Sequence, residues 1–420
     1  MKTFTTISLG CKVNAYEISA LSARLKENGY VEDENNPDVA IINTCSVTAT
    51  ADQKSRQHIR KLLNNYPNAI VVVMGCYSQG QHDFIKNEIK ADIITGTSNR
   101  DKIVEVINSF KKGDAPIDLT DKNPRIYEYE ELGLTTHFEN VRAYLKIQDG
   151  CDNFCSYCLI PYRRGKARNR DKESVLNEAT SIVEQGYKEI VLTGIHVGGY
   201  GKGTDYSFSS LVEDLLNIKG LYRLRISSIE ESEIDEKLIE LINSRDNLAT
   251  HFHIPLQSGS DTILKRMNRK YNCEQFLSKI EKIKKACPQV TLTTDVIVGF
   301  PGESEEEFQE TFNFIQKCGF HQLHVFPFSA REGTLAFKMK DQIDSHIKKQ
   351  RVLCLIELSN RLWNQYTNKF VNQEVEVLVE QYDEKEKYNI GHTSNFLEVK
   401  IKFDSSKVGE TIKTVLKNKI

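Results

Sequence analysis

The stretch GCDNFCSYCLIPYRRG, residues 150–165, carries Cys151, Cys155 and Cys158 in the spacing C-x3-C-x2-C. It follows VRAYLKIQ, a short β-rich run with the composition of a strand. Downstream, KEIVLTG, YRLRISSIE, HFHIPLQ, TLTTDVIVGF and FHQLHVFPFS read as five more strands. Helical patterns such as KESVLNEATSIVEQGY and SEEEFQETFNFIQKCG separate them. That alternation argues α/β architecture with parallel strands. Six strands fall short of the eight of a closed TIM barrel, so the series predicts an open, partial (β/α)6 barrel. Its functional face should lie at the carboxyl ends of the strands, where the cysteines stand.

The amino-terminal part repeats the logic in a different fold. TFTTISLGC, VAIINTC, AIVVVMGC and ADIITGT are β-rich, and helical stretches such as NAYEISALSARLKENGY separate them, which predicts a doubly wound parallel sheet. Three of these strands end in cysteine, at Cys11, Cys45 and Cys76. Ligands of open α/β sheets sit outside the carboxyl strand ends, so the three thiols can share one site. The plainer reading makes each a small core residue.

Residues 114–136 lose periodicity and read as a linker. The predicted units are therefore 1–113, the linker 114–136, a core over 137–367 and a small all-β domain over 370–420. In the last unit apolar and polar residues alternate along EVEVLVEQY and FLEVKIKFD, with Leu397, Val399, Ile401 and Phe403 on one face. Small β-barrels of this kind often bind oligonucleotides. Lys400, Lys402, Lys413, Lys417 and Lys419 supply positive charge there, though a solvated polar face explains them as well.

Composition bounds the rest. The chain has 420 residues, enough for two or three domains, and 56 Lys+Arg against 58 Asp+Glu give no global basic field. Its start, MKTFTTISLGCKVN, has no signal-length apolar stretch, and no run approaches a membrane span, so a cytoplasmic location is expected. In that compartment ten cysteines are ligands, catalytic thiols or core residues rather than disulfides. Cys273, Cys287, Cys318 and Cys354 fall in or beside helical patterns and read as core filling.

A structural zinc site closes with four protein ligands, and neither His137 nor His196 stands at finger spacing from the core trio. Iron–sulfur clusters are held by thiolates. Three thiolates on four irons leave one iron open to a substrate or cofactor. The CxxxCxxC pattern after the first strand of a partial barrel, with Tyr157 before the last cysteine, resembles the radical S-adenosylmethionine (SAM) superfamily. That resemblance implies SAM chelating the open iron and cleaving to methionine and a 5′-deoxyadenosyl radical. It also implies cofactor contacts from Tyr157, from Thr193 and Gly194 in LTGIHVGGYG, and from Ser227, Ser228 and Glu230 in SSIE. Gln257 in HIPLQSGS and Val298, Gly299 and Phe300 in VIVGFPGE complete that set, with Glu303 favouring the next helix start. Ser and Glu at strand ends also cap helices, and His251 and His253 also read as packing residues.

LGCKVNAYE, NTCSVT and GCYSQ around the first trio, with GCDNFCSYCLIPYRRGKARNR at the core, resemble the methylthiotransferases along essentially the whole chain. The resemblance implies a second [4Fe-4S] cluster on Cys11, Cys45 and Cys76 and a carboxyl-terminal TRAM domain, an RNA-binding module, in which the charge of Lys400 and Lys402 marks the candidate RNA contacts. It implies sulfur carried by the auxiliary cluster, methyl transfer from one SAM and hydrogen abstraction driven by another. An electron donor and a sulfur source are the further partners, and a monomer is expected. GCKVN, TGIHVGGYG and SSIE resemble the branch acting on N6-threonylcarbamoyladenosine at tRNA position 37, a single-stranded base open to readout. Isopentenyladenosine in tRNA or an aspartate of a ribosomal protein are the alternative targets. A metal-stabilised RNA-binding protein without turnover is the alternative of another class. The basic run Arg163, Arg164, Lys166, Arg168 and Arg170 is expected to hold tRNA phosphates or the substrate's carboxylate, or, for Arg170, the cofactor.

Overall fold

The computed structural model describes residues 2–122, 128–133, 141–385, 387–402 and 407–417, with the side chain of Lys402 outside the description. Phe403, Lys419, His137 and parts of the expected linker also lie outside the described residues.

Six strands form the amino-terminal sheet: β1 (Thr3–Ser8), β2 (Val31–Glu32), β3 (Val39–Thr44), β4 (Ile70–Gly75), β5 (Ile93–Ile94) and β6 (Ile117–Asp118). Their spatial order is β2-β1-β3-β4-β5-β6, and every pairing is parallel. Helices α1 (Lys12–Glu27), α2 (Ala49–Asn65), α3 (Cys76–Phe84) and α4 (Ile103–Ser109) cover it. All six residues of β3 are buried, the mark of a strand covered on both faces. β6 falls inside the stretch read as a linker, and so does buried Leu132.

The central region begins with β7 (Arg142–Lys146), β8 (Gln148–Asp149), α5 (Ile160–Arg164) and β9 (Arg168–Asn169). It continues through α6 (Lys172–Glu184), β10 (Glu189–Thr193), α7 (Phe208–Leu216), β11 (Arg223–Ile226), α8 (Glu236–Ser244) and β12 (His251–His253). The series ends with α9 (Asp261–Arg266), α10 (Cys273–Ala286), β13 (Thr291–Val298), α11 (Glu305–Cys318), β14 (Gln322–Pro327) and α12 (Ser345–Thr367). Two parallel sheets, β11-β10-β7 and β12-β13-β14, meet through bridges at Leu224–Leu248 and Ser228–His253. Helix starts are locally encoded. Asn272 with Gln275 and Ser304 with Glu307 form reciprocal capping boxes at α10 and α11. Glu303 lies outside α11, accepting from Gly299 N at 2.6 Å and from Arg351. Cys287 and Cys318 are buried and Cys273 half-buried, as expected, but Cys354 is exposed. The reason is helical phase: α12 turns Leu355 and Leu358 inward, leaving Cys354 off the buried stripe.

The last four strands, β15 (Glu374–Asp383), β16 (Tyr388–Thr393), β17 (Glu398–Lys402) and β18 (Thr411–Val415), form an antiparallel sheet in the order β17-β16-β15-β18. Its β16–β17 turn is wedged against the amino ends of the central strands. Arg225 donates to the carbonyls of Thr393 and Ser394 at 3.1 Å each, Thr291 to that of Asn395 at 2.6 Å, and Phe396 stacks between His251 and His392.

Candidate active site

Cys151 follows β8, and its backbone N–H donates to Gly165 O at 3.1 Å, closing the cysteine loop on itself. Ser156 ties the loop to α9, its N–H donating to Met267 O at 2.9 Å and its hydroxyl to Arg266 O at 2.8 Å. Each thiol accepts one donor: Cys151 from Asn153 N at 3.5 Å, Cys158 from Ile160 N at 3.4 Å and Cys155 from Arg269 Nη1 at 3.3 Å. Arg269 also pairs with Glu230. Burial pushes the Cys151 thiol up to about 11 and Cys158 up to about 12, so a metal must displace protons to bind there. Donors aimed at sulfur suit a cluster held by thiolates, whose potential such hydrogen bonds tune. Among the described residues, the group compact enough for a single ion is His82, Asp83 and Asp118, so neither cysteine trio has zinc-like spacing.

Cys11 caps α1, Cys45 follows β3 and Cys76 opens α3, at the carboxyl ends of three adjacent strands. A Cβ on Gly10 would lie 2.7 Å from Cys45 Sγ, so the chain at Cys11 runs directly against Cys45. Gly75, at φ +102°, has no room for a side chain either, since its Cβ would lie 2.5 Å from Thr44 O. Arg164 Nε donates to Cys76 Sγ at 3.2 Å, and Asn14 Oδ1 accepts from Arg164 at 2.8 Å and from Cys11 Sγ at 3.8 Å. Burial raises Cys45, and pushes Cys76 up to about 11.

A buried charge network joins the two trios. Glu17 of α1 accepts from Arg164 at 2.8 Å and Lys146 at 2.9 Å and pairs with Arg100. Asp149, beside the core trio, accepts from Lys146 at 2.7 Å and Arg164 at 3.1 Å. Burial alone would raise both carboxyls, but the surrounding cations hold them well below the usual range. α5 begins two residues after Cys158 and ends at Arg164, whose Nε donates to Cys76 Sγ, so this one short helix links the two trios.

This network corrects the expectation for the basic run. Arg164 and Arg170 are 0% and 2% exposed, and Arg170 pairs with Glu178 and Glu131, so neither can reach a tRNA phosphate. Arg168 points its guanidinium at Asp149 (3.3 Å), and half-buried Arg163 lies against Gly80 where α3 meets α5. These arginines have carboxylates or packing to satisfy, which their clustering in sequence could not reveal. Lys166 is exposed. Lys400 is exposed as expected, its ammonium 4.5 Å from the Tyr388 ring centre.

The sequence-predicted cofactor residues gather at the carboxyl strand ends. Tyr157 packs near Phe300 and Phe328. Thr193 ends β10, its carbonyl accepting from Ile147 N at 3.0 Å, and Gly194 lies against Gln148. Ser228 is bridged to His253 and Gln257 to Val296, with Val298 ending the same strand. A cavity of about 470 Å³ opens beside Cys155, lined by Asn153, Glu230 and Arg269, and Glu230 is the one residue of the predicted set that lines it. Sequence reasoning missed Glu17, Asp149 and Arg269. A signal existed for Glu17: it shares a helical face with Val13, Ala20 and Leu21, all buried.

Residues 145–315 match the Radical SAM superfamily, which implies a [4Fe-4S] cluster and SAM, and residues 3–96 match an uncharacterized protein family, UPF0004. A solved radical SAM methyltransferase, TsrM from Kitasatospora setae, shares the fold at TM-score 0.56 and 14% identity, over 78% of this chain and 73% of that one. Threonylcarbamoyladenosine tRNA methylthiotransferase MtaB of Bacillus subtilis is 44% identical over 98% of this chain and 93% of its own. The tRNA-2-methylthio-N(6)-dimethylallyladenosine synthase of Acetivibrio thermocellus is 34% identical over 98% of this chain and 88% of its own. With two converging thiol trios and similarity along nearly its whole length, the chain belongs to the radical SAM tRNA methylthiotransferase family.

Proposed function

We propose that this enzyme methylthiolates C2 of N6-threonylcarbamoyladenosine at tRNA position 37. The carrying observation is the pair of thiol trios tied to one buried network, in a chain 44% identical to a relative named for this substrate. Relatives named for dimethylallyladenosine stand lower, at 34–36% identity, and give that alternative less support. Cys151, Cys155 and Cys158 hold the cluster that binds SAM, and Cys11, Cys45 and Cys76 hold a second [4Fe-4S] cluster. When bound, these groups supply the radical, methyl and sulfur chemistry of the family. The chain's own part is to position and to shield. Glu230 and Arg269 flank Cys155 on the cavity wall, and Tyr157, Thr193, Gly194, Ser228, Gln257 and Val298, near the carboxyl strand ends, would supply the further cofactor contacts. The two parallel sheets act as a partial barrel over 137–367, beside an amino-terminal unit over 1–113. The antiparallel sheet is a TRAM domain over 370–420, with Lys400 on its RNA side.

Anaerobic reconstitution tests the cluster count. Iron and sulfide corresponding to two four-iron clusters should fall to one in a Cys11/Cys45/Cys76 triple alanine variant. A single cluster in both proteins would remove the methylthiotransferase reading. Nucleoside analysis of tRNA from a deletion strain tests the substrate: persistence of the 2-methylthio-threonylcarbamoyl nucleoside would exclude it.

A further inference from the structure

The chain carries 56 cationic against 58 acidic side chains, so an exposed face with cations and no carboxylate stands out. Helix α2 has such a face. It buries Ser55, Ile59 and Leu62 on one side. The opposite side exposes Gln53, Lys54, Gln57, Arg60, Lys61 and Asn64, at the i, i+3 and i+4 spacing of a single stripe. Three of these six are cationic and none is acidic. Asp52, the one carboxylate of the helix, is held by Arg331 and Ser46. Among the described residues no carboxylate pairs with Lys54, Arg60 or Lys61. Lysines on α10 are answered differently: Lys282 pairs with Glu236 at 2.9 Å, and Lys284 donates to the carbonyls of Cys318 and Gly319.

The place of α2 gives the stripe its meaning. The helix starts four residues after Cys45, at the carboxyl end of β3. A strap over residues 329–336 ties that start to the core cysteine loop. Ala49 N donates to Ser329 Oγ at 3.2 Å, Arg331 reaches Asp52 and Ser46, and Ala336 N donates to Ser156 O at 2.8 Å. The helix therefore leaves from the strap that joins the two trios. At helical rise, Lys54 stands about 8 Å and Lys61 about 18 Å along it from Ala49. Val47, just before the helix, and Leu335 and Phe337, on and beside the strap, are exposed. Apolar and aromatic side chains beside a cationic stripe suit unpaired bases followed by their phosphate backbone.

We infer that the exposed face of α2 binds phosphates of the substrate tRNA's anticodon stem-loop through Lys54, Arg60 and Lys61. The inference rests on the tRNA substrate of the proposed function and names the surface that holds it. The contact is electrostatic: counterions leave the RNA on binding, so affinity falls as salt rises.

The test titrates reconstituted full-length enzyme against a fluorescent anticodon stem-loop RNA at several salt concentrations. Lys54→Ala/Arg60→Ala/Lys61→Ala should bind about 10- to 100-fold more weakly at low salt. The slope of log Kd against log salt should fall by about two. A control on α10, Lys282→Ala/Lys285→Ala, should keep the wild-type Kd and slope, which separates a contact from a change in net charge. Iron per chain and release of 5′-deoxyadenosine without RNA should match wild type in both variants, showing the clusters intact. A triple variant with wild-type Kd and slope, or a control that loses as much per charge, overturns the inference. Wild type that binds no anticodon stem-loop at any salt overturns the proposed function, and this inference with it.

Discussion

Arg164 shows how a single side chain can do structural and chemical duty together. It is fully buried, pairs with Glu17 and Asp149, and donates to the Cys76 sulfur. Removing one member of a buried ionic network leaves its partners uncompensated, a loss of about 3–5 kcal/mol. Arg164→Ala should therefore unfold at markedly lower denaturant, read by chemical denaturation of the cofactor-free protein. Arg164→Lys, which keeps charge but not the forked geometry, should lose less. An unchanged midpoint in the alanine variant would mean the carboxylates find other partners.

The base of the central strands is organised around Glu189 at the start of β10, which faces Arg223 at 3.1 Å and Arg225 at 2.6 Å on β11. Burial would raise this carboxyl, but Arg225, then Arg223 and Arg142, bring it from 4.5 to about 2. A carboxyl depressed in the folded state stabilises fully above its unfolded value, and the contribution fades as pH falls from about 4.5 toward 2. The contribution is about 3 kcal/mol by linkage. Acid titration of unfolding free energy should show this loss in wild type, and Glu189→Gln should flatten the curve across that window. An identical acid slope in both would show that the pair is not coupled to folding.

At the scale of the molecule, the antiparallel sheet docks through its turn. Phe396 sits between His251 and His392 with the Arg225 guanidinium 5.0 Å from its ring centre. Arg142 joins β7 to Glu380 on β15. Phe396→Ala should cost about 2 kcal/mol of docking. It should appear as faster amide hydrogen exchange across residues 392–397, with the central strands unchanged. Uniform acceleration throughout the chain would mean that the sheet and the core unfold as one unit. At the opposite side, Arg331 reaches Asp52 at 2.5 Å and Ser46 at 3.2 Å, fastening the segment after β14 to the amino-terminal unit beside Cys45.

Local chemistry carried much of this protein in readable form. The C-x3-C-x2-C spacing, the three strand-ending cysteines and the βα alternation are short-range patterns, and the elements formed where periodicity placed them, including β13 at Thr291–Val298 and α11 at Glu305–Cys318. The alternating tail likewise became β15 and β17. What local pattern cannot encode is which charged groups meet across units. Arg164 and Arg170 looked like a surface stripe because sequence neighbours share composition, while their partners Glu17, Glu131 and Glu178 lie elsewhere in the chain. Lys12, one residue from a cysteine in the same motif, begins α1 and is exposed. Ligand spacing and strand periodicity are set by the chain itself. Pairing and exposure of charge depend on long-range packing, which only the tertiary structure decides.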